Sequence, residues 1–306
     1  MADFKSSPIT ARSESYAYIL PERFRPTLSG RTVLVTGAGR GIGRHIALAF
    51  ASVGCKMAFI ARTESEILEL ADEIVRDYQV ECLGLVADVT SSSDVDSVVM
   101  RVEAELGRVE VLVNNAAIDW ISPFESEPDL DRWWRVMETN LRGPLLLTRS
   151  VLPGMLRAGR GVIISIGSRN AVSNIPFMTA YSCSKTALLR FHQCLQLEIQ
   201  GRGICTYVLQ PGDMATTLSS ANTAVNLDAA ACSEDVRDML RLLEEKPVDS
   251  FSLPAHTCVA LAAGGQVEVL SGLYVDAQED LEQVIARMNA RPSGARQLYT
   301  LGLEHL

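Results

Sequence analysis

The chain has 306 residues, 47% hydrophobic and 21% charged, with a mean hydropathy of +0.13. That excludes the low-hydrophobicity, high-charge compositions of disordered chains and leaves ample length for a buried core. Twenty-eight basic residues against 37 acidic ones give a net charge of −9, which argues against nucleic acid or an anionic membrane as partner, since either needs a broad basic surface.

Residues 1–28 are punctuated by Ser, Arg and Pro without sustained periodicity and read as an arm ahead of the core. Regular alternation follows. Strands are expected at Thr32–Val35, Met57–Ile60, Cys82–Val86, Val109–Val113, Val162–Ser165 and Ile204–Leu209. Helices are expected from Gly41, from about Glu64, from Ser91–Ser93, over Asp129–Arg157 and over Thr179–Gln200. Strand and helix in strict alternation predict an α/β fold: a doubly wound parallel sheet with helices on both faces, three layers in all. Length alone allows about two domains, but no composition shift breaks residues 30–210. One Rossmann-like domain over 29–280 is therefore expected, with an insert at about 213–248 acting as a lid and a C-terminal helix and tail over 281–306. Seven cysteines at no metal-ligand spacing read as small buried hydrophobes in a reducing compartment, with no metal. No signal-peptide core and no run of about 18 apolar residues appears, so a cytoplasmic address is expected.

The first strand runs into Thr36-Gly37-Ala38-Gly39-Arg40-Gly41-Ile42-Gly43 and a helix. Glycines let a pyrophosphate approach the backbone, and a helix N-terminus offers unpaired N–H groups to it. A tight structural turn is the plainer alternative. After the second strand the chain reads Ala61-Arg62-Thr63, with no carboxylate until Glu64 to hold a ribose 2′-hydroxyl. Guanidinium groups at Arg40 and Arg62 suit a 2′-phosphate, so NADP(H) is expected over NAD(H), unless both are merely solvated surface arginines.

Tyr181 and Lys185 lie four apart in TAYSCSKTALLRF, one turn apart on one helix face. Only four lysines occur in the chain, so the pairing is not a product of abundance. Proton transfer to a carbinol oxygen near neutrality needs a group with a pKa near 7, and a neighbouring ammonium is one way to bring a tyrosine down.

Taken in order, TGAGRGIG, Asp88 in ADV, Asn114-Asn115-Ala116-Ala117, Asn140 in TNLRG, Ser168, the Tyr181/Lys185 pair and Pro211-Gly212 with Thr216 resemble the short-chain dehydrogenase/reductase family over about residues 30–216. The resemblance implies hydride transfer between a nicotinamide and a carbonyl or alcohol. It implies Tyr181 as general acid/base, Lys185 lowering its pKa and binding the ribose, Ser168 orienting the substrate oxygen, and Asn140 holding a relay water. It places Asp88 and Val89 at the adenine, Asn115 with Ala116 under the cofactor, and Pro211, Gly212 and Thr216 beside the nicotinamide, with a homodimer or homotetramer as the assembly. Ser168 as a turn cap, Asn140 as a helix bend and Asp88 as a helix cap stay open beside those roles.

The chain departs from that pattern at Ala117 and Ala171, where relatives carry glycine, and in its C-terminal segment, Ser271–Ala277, which lacks the usual glycine pair. Arg169–Met178 and the insert should shape the substrate cleft. Ile175, Pro176, Phe177 and Met178 suggest an apolar wall, and neither segment clusters basic residues. An uncharged, moderately apolar ketone or secondary alcohol is the expected substrate, with Trp120, Trp133 and Trp134 in packing or interface roles. A cofactor-binding regulatory or scaffold protein without turnover, and an epimerase or dehydratase, are the alternatives.

Overall fold

The computed structural model describes residues 9–214, 218, 224–245 and 248–290. Seven strands form one sheet: β1 (Thr32–Thr36), β2 (Lys56–Ala61), β3 (Cys82–Val86), β4 (Val109–Asn114), β5 (Gly161–Ile166), β6 (Ile204–Gln210) and β7 (Tyr274–Asp276). Their order is β3-β2-β1-β4-β5-β6-β7, and every pairing is parallel. The central strands are buried on both faces, as β1 and β5 show along their whole length, which is why they read as continuous apolar runs and not as alternation.

Helices α1 (Gly41–Ser52), α2 (Glu64–Tyr78), α3 (Ser92–Glu105), α4 (Leu130–Met137), α5 (Gly143–Ala158), α6 (Thr179–Ile199), α7 (Leu227–Cys232), α8 (Glu234–Glu244), α9 (Ser252–Ala262) and α10 (Leu281–Asn289) follow in chain order. Two large cores result. One packs Ile46, Phe50, Val259 and Leu261 against Val33, Phe59 and Tyr207 on one face; the other packs Val98, Val102, Leu147 and Val151 against Leu34, Leu112 and Ile163 on the opposite face. The three-layer, doubly wound architecture is the one the sequence predicts. Its topological switch falls between β1 and β4, where ligands of such sheets bind at the carboxyl ends of the strands.

Three local expectations change. The helical stretch expected over Asp129–Arg157 is present without a break from Leu130 to Ala158, but it carries a π-helical turn over Glu138–Arg142 between α4 and α5. The arm is part of the body, for Ile19 and Leu28 are fully buried in the first core. Ala11 bridges Glu279, and the Leu281 N–H donates to the Tyr16 hydroxyl at 2.6 Å. Of the cysteines, Cys55 and Cys258 are buried, but Cys183, Cys194 and Cys232 are exposed, so the reading of all seven as core hydrophobes fails for those three. The expected insert carries α7 and α8, and Val225 just before them bridges Ile121. Among the described residues no helix is long and apolar enough to cross a membrane.

Candidate active site

The turn after β1 has room for backbone and little else. Gly37 adopts φ +63°, and a Cβ there would lie 2.8 Å from the Ala116 Cα. At Gly43 a Cβ would strike the Gly37 carbonyl and the Asn115 amide. Asn115 ties that turn to the end of β4: its Nδ2 donates to the carbonyls of Thr36 (2.9 Å) and Gly37 (3.0 Å). In return the N–H groups of Asn115 and Ala116 donate to the Thr36 hydroxyl at 3.0 Å each. α1 begins at Gly41, whose φ of +56° starts the helix from a left-handed residue, and no side chain caps its N-terminus. Its first N–H groups, with Ile42 and Gly43 at the opening, therefore form an anion-binding helix end. A dinucleotide pyrophosphate fits this donor set and this glycine-only space.

Arg40 and Arg62 flank the turn. Arg62 is exposed after β2. Arg40 faces Glu66 of α2 at 3.9 Å, and the same carboxylate lies against Gly39 so closely that a Cβ there would collide with it. Sequence order puts Glu64 nearest the end of β2, yet it is Glu66 that the helical rise of α2 brings back over Gly39. Asp88 does not cap α3: Ser91 does, accepting from the Asp94 N–H at 3.2 Å. Asp88 instead closes a turn with Thr90, whose N–H and hydroxyl both donate to its Oδ1 at 2.8 Å. Val89 is buried, and a Cβ on Gly143 at the start of α5 would meet it at 3.0 Å.

α6 and the end of β5 assemble the chemical residues. Tyr181, Lys185 and Asn140 are 7%, 3% and 1% exposed, and the Ser168 side chain lies near enough to the Tyr181 hydroxyl to lower its pKa. Ser168 also caps a short turn, accepting from the Asn170 N–H at 3.2 Å, so the capping and orienting readings coexist. Lys185 Nζ donates to the Ile166 carbonyl at 2.7 Å and stands 5.4 Å from the centre of the Tyr181 ring. Asn140 sits inside the π turn, a backbone irregularity frequent at functional sites. Its Oδ1 accepts from the Ile118 N–H (2.9 Å), and its Nδ2 donates to the Ile118 carbonyl (2.8 Å) and to Ser184 Oγ (3.2 Å). The side chain thus clamps the loop after β4 to α6, a positioning task.

The electrostatics of the pair also differ from expectation. Burial raises the Tyr181 hydroxyl well above its ordinary value, the Asp119 carboxylate raises it further, and only the nearby Ser168 side chain pulls it down. Burial lowers Lys185 to about 8, against the pull of Asp119, which favours its charged form. The protein alone therefore holds a neutral phenol beside a weakened ammonium. Asp119, 5% exposed, is a member of this site that sequence spacing did not reveal.

Pro211 and Gly212 lie at the end of β6, Gly212 with φ +97°. Asp249 supports that turn: its Oδ2 accepts from the Asp213 N–H at 2.7 Å and from Gln278 Nε2 at 2.8 Å. Gln278 Oε1 in turn accepts from Arg169 at 2.6 Å. Thr216 lies outside the described residues. On the substrate side Tyr181 packs with Trp120, Ile121, Val136, Met178 and Val225, with Trp133, Ile175 and Phe177 at the edge of the cluster. Trp134 is exposed and stacks on Trp133.

A model of the short chain dehydrogenase family matches residues 31–226. The chain is similar to a short chain dehydrogenase of Pseudocercospora fijiensis, 38% identical over 295 residues that make up 96% of this chain and 94% of that protein. It is also similar to a short chain dehydrogenase of Monascus purpureus, 35% identical over 266 residues, 84% of each. Among solved structures, a protein of Beutenbergia cavernae described as an NAD(P)-dependent gluconate 5-dehydrogenase with bound NADP superposes with a TM-score of 0.69 and 30% identity, covering 82% of this chain and 96% of that one.

Proposed function

The chain belongs to the short-chain dehydrogenase family of oxidoreductases, and from that premise we propose that it moves a hydride between NADP(H) and the carbonyl or secondary alcohol of an uncharged, moderately apolar small molecule, with Tyr181 as the general acid/base. The observation that carries this reading is the buried Tyr181–Lys185 pair with the half-buried Ser168 beside it, at the carboxyl end of a sheet whose first turn admits only glycine at its cradle. A nicotinamide supplies the hydride and, when oxidised, a positive ring. Gly37, Gly39, Gly41, Ile42 and Gly43 would hold the pyrophosphate, Arg40 and Arg62 the 2′-phosphate, Asp88 and Val89 the adenine, Asn115 and Ala116 the floor, and Pro211, Gly212 and Thr216 the nicotinamide end.

In reduction Ser168 orients the substrate oxygen and Tyr181 gives it the phenolic proton. The tyrosinate left behind is stabilised by Lys185, whose ammonium becomes useful once the phenol has lost its proton. Asn140 keeps the Ile118 loop and α6 together while this happens. Burial excludes water and strengthens each of these interactions.

NADPH consumption against a panel of neutral ketones and aldehydes tests the proposal. Turnover is expected in the wild type, with Tyr181→Phe losing it while still binding NADPH. Wild-type protein that binds NADPH and reduces no carbonyl would instead support a scaffold. NAD(H) preference has one observation in its favour, the Glu66 carboxylate against Gly39 and Arg40, and competitive titration of both cofactors decides between them. Exposed Leu130, Trp134 and Leu197 on α4 and α6 support assembly as a homodimer or homotetramer, which light scattering checks.

A further inference from the structure

After the bond from the Gly167 N–H to the Leu209 carbonyl at 2.7 Å, β5 runs into the loop that carries Ser168 and β6 into the turn that carries Pro211 and Gly212. One loop is proposed above to hold the substrate oxygen, the other to border the nicotinamide. The spacing between the loops is then the spacing between the two reacting partners.

Each loop has its own anchor. On the side of α6, Thr186 donates to the Ala171 carbonyl at 3.1 Å and Asn170 to Ser182 at 3.5 Å. Under Gly212, the Asp249 carboxylate accepts from the Asp213 N–H and from Gln278. Arg169, the residue after Ser168, joins the two. Its Nη2 donates to Gln278 Oε1 at 2.6 Å, and its Nη1 faces Asp213 Oδ2 at 3.4 Å. Two nitrogens of one planar group thus serve acceptors on two distant segments, a task for the rigid fork of a guanidinium and not for the point charge of a lysine.

Arg169 and Asp213 have side chains 32% and 27% exposed, so their pairing is screened less than one between fully solvated groups. Burial pushes the Asp276 carboxyl up to about 6 and raises Asp249 above the usual carboxylate range, and the charge of Arg169 opposes both shifts. A cation placed anywhere nearby would balance these carboxylates. Standing next to Ser168 in the chain, this one also holds the loop that presents the Ser168 hydroxyl.

We propose that Arg169 is a positioning residue: by bridging Gln278 and Asp213 it sets the distance between the Ser168 loop and the Gly212 turn, and with it the alignment of the substrate carbonyl with the hydride it receives. This rests on the carbonyl-reducing reading of the same site. A misplacement of about 1 Å costs about 100-fold in rate. The pyrophosphate cradle and the apolar wall lie outside the bridge, so its loss costs rate and spares affinity.

The test compares the wild type, Arg169→Gln and Arg169→Lys on a panel of neutral ketones and aldehydes that includes cyclohexanone and acetophenone, with NADPH and with NADPH deuterated at both C4 positions. Arg169→Gln should lose about 10- to 100-fold in kcat with KM and the NADPH Kd unchanged. Its isotope effect on kcat should exceed the wild type's, because the hydride step is the one slowed. Arg169→Lys keeps the charge and reaches one acceptor, so it should recover part of the loss; if Arg169→Gln does not fold, the same split between kcat and KM is read on Arg169→Lys. Fluorescence anisotropy of the bound reduced nicotinamide, which needs no turnover, should fall in the variants. An unchanged kcat, or a fall shared by KM and the NADPH Kd with the isotope effect unmoved, would overturn the inference and leave Arg169 as a counter-ion. A wild type that binds NADPH and reduces no member of the panel refutes the carbonyl-reducing reading instead. Anisotropy then decides for Arg169 alone: a fall sustains its hold on the nicotinamide end, and an unchanged value overturns it.

Discussion

Replacing Glu66 by Gln removes a negative charge from the place where a 2′-phosphate is proposed to sit. Arg40 and Glu66 are 3.9 Å apart, with the arginine side chain 70% exposed and the glutamate 28%. Two unit charges at about 4 Å interact by roughly 1 kcal/mol in water and about 4 kcal/mol at an effective dielectric of 20. With one partner so exposed the lower figure applies, and screening trims it further. Glu66→Gln frees Arg40 and removes a repulsion of similar size against a phosphate, so NADPH should bind about 3- to 10-fold more tightly, equivalent to about 1 kcal/mol. NADH, which lacks the phosphate, should gain nothing. Isothermal titration of both cofactors at low ionic strength reads this directly, and the gain should shrink in 1 M salt, where the screening length falls to about 3 Å. NADPH binding that is unchanged or weaker, together with loss of NADH binding, would mean that Glu66 holds ribose hydroxyls and would refute the argument for a phosphate.

Lys185→Met should stabilise the fold near neutrality. A fall from 10.5 to about 8 corresponds to roughly 3 kcal/mol of folding free energy withheld, offset by about 1 kcal/mol for the lost bond to Ile166. The unfolded chain binds the proton more tightly, so the penalty is complete below about pH 8 and fades as the pH rises to about 10.5; melting temperatures at pH 7 and pH 10 should therefore differ between variant and wild type in the first case and converge in the second. His192, buried and held neutral with its pKa at about 3, behaves with the same sign at lower pH. Wild-type stability should fall as pH drops from about 6.5 towards 3, and His192→Gln should flatten that slope in urea titrations. Gly43→Ala drives a methyl into the Gly37 carbonyl and the Asn115 amide and should cost about 1–3 kcal/mol, with NADPH affinity lost while the circular dichroism spectrum is kept. An alanine variant that binds NADPH normally would contradict the cradle.

The sheet was readable because its strands are buried on both faces and its crossovers are helical, so apolar runs and amphipathic stretches alternate without ambiguity. The residues grouped on α6 and in the first turn were readable because local spacing fixes them: Tyr181 and Lys185 share a face through helical periodicity alone. What escaped was set by tertiary geometry. Asp119 matters because Asn140 clamps its neighbour from 22 residues away, and Glu66 because α2 folds back over Gly39. The Asp249–Gln278–Arg169 support of the Gly212 turn joins three distant segments. The π turn at Asn140 hid inside a helical pattern because one extra residue in a turn leaves the polar and apolar alternation on either side intact. Exposure of Cys183 and Cys194 on α6 was missed because cysteine carries no positional signal of its own within a helix.

The arm that binds α10 also sets an order on how the molecule is made. Arg12 pairs with Asp280 across 268 residues, its N–H donates to the Gln278 carbonyl at 2.7 Å, and Gln278 reaches Asp249 beneath the Gly212 turn. Residues 10–16 thus lack these long-range partners until residues 249–281 have been made. At synthesis rates of about 5–20 residues per second, residues 10–16 wait on the order of tens of seconds with Tyr16 unseated, while β1 to β6 are already available to pair. Seating the arm and closing β7 are then a single late event, and the support under the Gly212 turn is finished only when residues 10–16 and 276–281 have met.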